Sequence, residues 1–125
     1  LIILLKNLNP YINKLIQEHK QKEDFHMNIK INTVRFSADQ KLERFIHHKV
    51  NKLMQFYDDI IGAEVFLKLG NTPGIGNKIT EIRVDLPGNE LFAKKQSKSF
   101  EESTDNAIDA LKKQITKHKE KIRGL

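Results

Sequence analysis

No stretch of this chain limits its fold more than Ser99 to Gly124, which reads as one amphipathic helix, acidic at its start and strongly basic at its end. Ser99 and Glu102 stand in the Ser-x-x-Glu spacing of a capping box, in which each side chain satisfies a free backbone N–H. Phe100, Ala107, Ile108, Leu111, Ile115 and Ile122 recur at helical spacing and predict a buried stripe. Glu101, Glu102, Asp105 and Asp109 occupy the early turns. Lys112, Lys113, Lys117, Lys119, Lys121 and Arg123 fill the late ones, opposed by Glu120. Both ends suit the helix dipole, as in many ordinary helices. Six cations within twelve residues exceed what a helix C-terminus requires, and the excess points to a phosphate-rich partner.

Upstream, the pattern is regular from Met27 onward. In Asn28 to Phe36 (NIKINTVRF), Ile29 and Ile31 share a face and the alternation then slips to Val34 and Phe36. This predicts a strand with a bulge near Thr33. Ser37 or Asp39 caps a helix through about Phe56, with Leu42, Phe45, Ile46, Val50, Leu53 and Phe56 on its inner side. Asp58-Asp59 makes the exit. Ala63, Val65 and Leu67 alternate with Glu64, Phe66 and Lys68 as a second strand, and Gly70 to Asn77 is a hairpin connection. Ile82, Val84 and Leu86 alternate with charged residues as a third strand. Pro87-Gly88-Asn89 then turns the chain into a short fourth one at Glu90 to Lys94. The expected fold is α+β in the order β-α-β-β-β-α: a four-stranded sheet with two helices packed on one face. The other face is open and should be mixed in polarity. Phe66 and Phe92 are its apolar candidates. They are expected to pack rather than stack on bases, because the strands lack the glycine and aromatic signature of RNA-recognition modules.

Residues 1–26 differ in character. Leu1 to Leu5 is apolar, Pro10 breaks the run, and Tyr11, Ile12, Leu15 and Ile16 could line one short helix before a charged stretch from Glu18 to His26. They read as an N-terminal extension: either an added arm or upstream sequence translated before the true start at Met27. The second is favoured, because a lone arm of this size has little apolar area to bury. The regular pattern thus marks a single domain at 27–125.

Composition narrows the class. The chain has 125 residues, enough for one domain with a modest core. Its net charge of +6 favours an anionic partner. Without cysteine it has no disulfide framework and no thiolate metal site, and a reducing cytoplasm is the expected compartment. No apolar run approaches the roughly 18 residues needed to span a bilayer, so no membrane partner is expected.

The first helix carries its own cationic ridge: Lys41, Arg44, His48 and Lys52 fall along one outward line, with Lys49 nearby. Exposed lysines usually mark a solvated face. Here a second ridge on the last helix lies on the same side of the sheet, so the two could merge into one positive patch, its edge extended by Lys94, Lys95 and Lys98. Such a patch attracts nucleic-acid phosphates with little sequence discrimination.

Catalytic chemistry finds no support. Gly70 to Lys78 superficially resembles a phosphate loop, but Asn77 separates Gly76 from Lys78 and Ile79 follows the lysine. His47 and His48 are neighbours without an HExxH context, and Asp58-Asp59 and Glu101-Glu102 are explained by helix ends. No catalytic residue, metal site, cofactor or small-molecule substrate is expected.

Met27 to Leu125 resembles a short ribosome hibernation-promoting factor, also called the ribosome-associated inhibitor family. The resemblance rests on MNIKINTVRFSADQKLERFIHHKVNKL, on EVFLK (Glu64 to Lys68), and most specifically on NAIDALKKQITKHKEK near the end. It implies the same β-α-β-β-β-α fold. It also implies binding to the small ribosomal subunit, to rRNA and optionally to ribosomal proteins, in the channel used by mRNA and tRNA. Translation would be inhibited there during starvation or stationary phase, with a ribosome-dimerising factor as an optional further partner. By the resemblance Lys49, Lys52, Lys68, Lys117, His118, Lys119 and Lys121 are candidate rRNA contacts. Two departures stand out. The step from IDAL to QITKHKEK is about one helical turn shorter than in the family pattern, and the chain stops at Leu125, without the second domain of long members. Two other classes compete: a double-stranded-RNA-binding-like module, whose α-β-β-β-α order lacks the first strand, and a regulator that binds an acidic protein. Pairing of NIKINTVRF within the sheet would separate the first from the hibernation factor.

Overall fold

The computed structural model describes residues 29–71 and 74–124. The N-terminal extension expected at 1–26 lies outside the described residues. Strand β1 (Ile29–Thr33) is followed by helix α1 (Gln40–Phe56), strands β2 (Gly62–Leu69), β3 (Lys78–Leu86) and β4 (Asn89–Ser97), and helix α2 (Phe100–Ile122). The order and layering are those expected from periodicity.

The four strands lie in sequence order across one sheet. β1 and β2 are parallel, with Ile29 opposite Ala63 and Thr33 opposite Leu67, so their connection must cross the sheet, and α1 makes that crossover. The remaining pairs are antiparallel hairpins. Pro87 and Gly88 form the tight turn between β3 and β4; Gly88 has φ 71°, a conformation that a side chain would strain.

Alternation along β2 and β3 sends Val65, Leu67, Ile82 and Val84 to the helical side, where all are fully buried. Ile46, Val50 and Leu53 of α1 and Leu111 and Ile115 of α2 close over them, likewise buried. Each helix begins at a side-chain cap: the Leu42 N–H donates to Asp39 Oδ1 at 2.8 Å, and the Glu102 N–H to Ser99 Oγ at 3.1 Å. Phe36 stacks on Phe100 at 5.2 Å between the two helix starts, and Tyr57 meets His118 edge-on at 5.9 Å at the far end. The helices therefore run parallel, with both C-termini at one end of the sheet.

Three local expectations are corrected. The first strand ends at Thr33 rather than continuing through a bulge to Phe36, because Arg35 adopts φ 66° and turns the chain toward α1. Phe56 and Ile122, expected in the buried stripes, are 42% and 65% exposed. α2 has 23 residues and β4 nine, giving lengths of about 34 Å and about 30 Å, so the last turn of the helix overhangs the sheet. The buried stripe also contains polar residues. Thr80 Oγ1 on β3 lies 2.6 Å from Ser103 Oγ and 3.3 Å from Thr104 Oγ1, a fully buried hydroxyl cluster that seats the start of α2.

Candidate nucleic-acid interface

Helix geometry decides which cations are free. On α1, Lys41, Arg44, His48 and Lys52 are exposed and form the expected outward ridge. Lys49 lies three residues after Ile46 and four before Leu53, on the flank of the buried stripe. Its ammonium sits 3.1 Å from Asp105 of α2 and 5.4 Å from the Phe45 ring centroid. Lys49 thus ties the two helices together.

On α2, Lys113, Lys117, Lys121 and Arg123 are exposed, and Lys112 is half-buried. Lys119 and His118 are held by the fold. The Lys119 ammonium donates to the Phe56 carbonyl at 3.2 Å, where the α1 dipole ends, and lies 4.4 Å from the Phe56 ring centroid and 5.4 Å from that of Tyr57. His118 Nδ1 lies 3.2 Å from the Asn89 side-chain nitrogen in the β3–β4 turn. Burial raises the Tyr57 hydroxyl above the ordinary phenol range. The neighbouring Asp59 carboxylate pushes the same way, so Tyr57 stays neutral.

The remaining candidates scatter. Lys95, on the helical side of edge strand β4, borders a cleft shared with Asn106, Asp109, Ala110 and Lys113. Lys98 is exposed in the turn before α2, at the end opposite the basic one. Lys68 and Lys94 lie on the open sheet face. Lys68 pairs with Glu81 at 2.9 Å and rests 5.9 Å from the Phe66 ring centroid, while Lys94 stands opposite the same Glu81 in register.

The two ridges do not merge along their whole length. Glu101, Glu102, Asp105 and Asp109 make the first half of α2 acidic beside the middle of α1, and cations prevail only from Lys112 onward. The positive surface is a gradient that strengthens toward the shared C-terminal end. Phe92 is 48% exposed on the open face, and Phe66 is half-buried there. Sequence reasoning missed Lys30 and Arg83, which lie on that same face among carboxylates. It also missed the intramolecular duties of Lys49 and Lys119, although their spacing from Ile46, Leu53 and Ile115 was a signal. Among the described residues no cluster of His, Asp or Glu could hold a metal ion.

The family described as Sigma 54 modulation protein / S30EA ribosomal protein matches residues 29–123. A ribosome hibernation promoting factor of Klebsiella oxytoca is 30% identical over 79 residues, which cover 63% of this chain and 79% of that protein. One of Escherichia coli K12 is 29% identical over 97 residues, covering 78% of this chain and 96% of that protein. The crystal structure of the N-terminal domain of Protein Y from Thermus thermophilus superposes with a TM-score of 0.63 at 26% identity, over 74% of this chain and 99% of that one. A ribosomal subunit interface protein from Coxiella burnetii shares the fold at 20% identity, with a TM-score of 0.66 over 74% of this chain and 98% of that one.

Proposed function

We propose a function from this premise: the chain belongs to the Sigma 54 modulation protein / S30EA ribosomal protein family. It acts as a ribosome hibernation factor, the role that the relatives' names give to them. It binds the small ribosomal subunit in the channel used by mRNA and tRNA, and its presence there blocks translation during starvation or stationary phase. The work is occupation and involves no catalytic step. The cytoplasm follows as its place of action; no helix among the described residues is long and apolar enough to cross a membrane.

The observation that carries this reading is the exposed cationic series of the helical layer: Lys41, Arg44 and Lys52 on α1, then Lys113, Lys117, Lys121 and Arg123 on α2. None of these has a carboxylate partner among the described residues. Ammonium and guanidinium groups held on two parallel helices present fixed positive charge to rRNA phosphates, and binding releases the phosphates' counterions. The parallel pairing of β1 with β2 favours this reading over a double-stranded-RNA-binding module, whose fold has no such strand. The test is co-sedimentation of the purified protein with small subunits at low and moderate salt, alongside translation in a purified system. Binding that weakens steeply with salt, together with inhibition, is expected. Binding indifferent to salt would point to an acidic protein partner instead.

A further inference from the structure

Where both helices end, apolar and aromatic carbon gathers among the cations. Phe56 closes α1 with 42% of its surface exposed, and Ile122 closes α2 with 65% exposed. Beside Phe56, the residues Tyr57, Asp59, Lys119, Ile122 and Arg123 line one shallow cleft. The Lys119 ammonium is fixed over the Phe56 ring at 4.4 Å and hydrogen-bonded to the Phe56 carbonyl. A duplex would present phosphates, sugars and groove edges here but no base face, since its bases are stacked inside. An unpaired nucleobase offers an apolar π-face flanked by two phosphates, which matches a ring beside fixed cations.

We infer that this end of the helical layer receives an unpaired RNA base against the exposed part of Phe56, at the edge of the cleft, with Lys119 held on the ring and Arg123 meeting a flanking phosphate. The Asp59 carboxylate in the cleft wall supplies an acceptor for a base N–H. The proposal rests on the RNA-binding reading above and deepens it: the ridges contribute phosphate affinity without sequence information, and the cleft adds contact with a base. A protein segment would also cover the exposed carbon, but the cleft's two cations, Lys119 and Arg123, outnumber its one carboxylate, Asp59, and favour phosphate over peptide.

The test uses the whole protein bound to small subunits, irradiated with ultraviolet light and digested for mass spectrometry. A nucleotide adduct on Phe56 or Tyr57 is expected. Phe56→Leu keeps apolar bulk but removes the ring. It should lose the adduct at that position and weaken binding about 5- to 150-fold, the range for one stacked base, without changing the salt dependence. Phe56→Trp should bind at least as well as the parent, so a folded Trp variant that binds like the Leu one would overturn the proposal. So would an adduct with a ribosomal protein in place of a nucleotide, or parent-like binding by Phe56→Leu while Lys117→Glu with Lys121→Glu still weakens it; the phosphate reading would then survive alone. If the parent itself does not bind small subunits, that reading falls and the base site with it.

Discussion

The open face of the sheet and the outer face of the helices carry the same kinds of charged residue, and only one of them presents a field. On the open face Lys30, Lys68, Arg83 and Lys94 alternate with Glu64, Glu81, Asp85 and Glu90. Arg83 reaches Glu64 at 2.6 Å, Lys68 reaches Glu81 at 2.9 Å, and Lys30 approaches Glu64 at 3.9 Å. Strand pairing sets residues from neighbouring strands about 5 Å apart, so alternating signs neutralise one another. On the helices, neighbours from Lys41 to Lys52 and from Lys113 to Lys121 along each ridge share a sign, and none of these ridge lysines has a carboxylate partner among the described residues. Lys49 is the exception, because Asp105 on the adjoining helix comes within reach. The number of lysines therefore says less about a phosphate site than the element that carries them.

Reversing charge on the stronger part of the helical face should have the largest effect. Lys117→Glu with Lys121→Glu should weaken small-subunit binding on the order of a hundredfold at low salt. Both side chains are exposed, so the unfolding free energy should stay within about 1 kcal/mol of the parent. Co-sedimentation and denaturant titration read the two quantities. Lys41→Glu with Lys52→Glu on α1 should cost less, about tenfold, because the acidic start of α2 lies beside that ridge. Equal losses from both pairs would mean that the gradient along the helices does not matter.

Changes that act through packing should separate from these. Thr80→Val leaves the buried Ser103 and Thr104 hydroxyls without their strand partner and should cost about 1–3 kcal/mol of stability. Affinity per folded molecule should be unchanged; a stability equal to the parent's would show that the cluster does not seat α2. Lys49→Met removes the tie to Asp105, whose partners are 28% and 47% exposed. It should cost at most about 1 kcal/mol, with less than about a threefold change in binding. A tenfold binding loss would make Lys49 a phosphate contact rather than a tie.

These outcomes also bear on what the sequence made legible. Period-two alternation located β2 and β3, and the 3.6-residue stripe located both helices, because those signals are local. The end of β1 was hidden, since nothing in the alternation reveals that Arg35 takes a left-handed conformation. Ile122 continues the stripe in sequence but not in space, because the helix has run past the sheet that would bury it. Ser103 and Thr104 look like ordinary polar helix residues until Thr80, 23 positions before Ser103, appears across from them. The candidate cations were all visible as residues. Their sorting into free ridge, inter-helix tie and open face depended on strand register and helix placement, which are long-range facts.

The smallest expected effect falls on the open face, where Lys68→Gln with Lys94→Gln should change affinity less than about twofold. The most direct measurement of the central claim is the salt dependence of small-subunit affinity for the parent, for that pair, and for Lys117→Gln with Lys121→Gln. Each phosphate contact adds about −0.7 to −0.9 to the slope of log affinity against log salt. The parent slope should be steep, and the helical pair should make it shallower by about 1.4 to 1.8, two contacts' worth on the same scale. The open-face pair should leave it unchanged. A flat parent slope, or a loss of slope from the open-face pair in place of the helical one, would contradict the account.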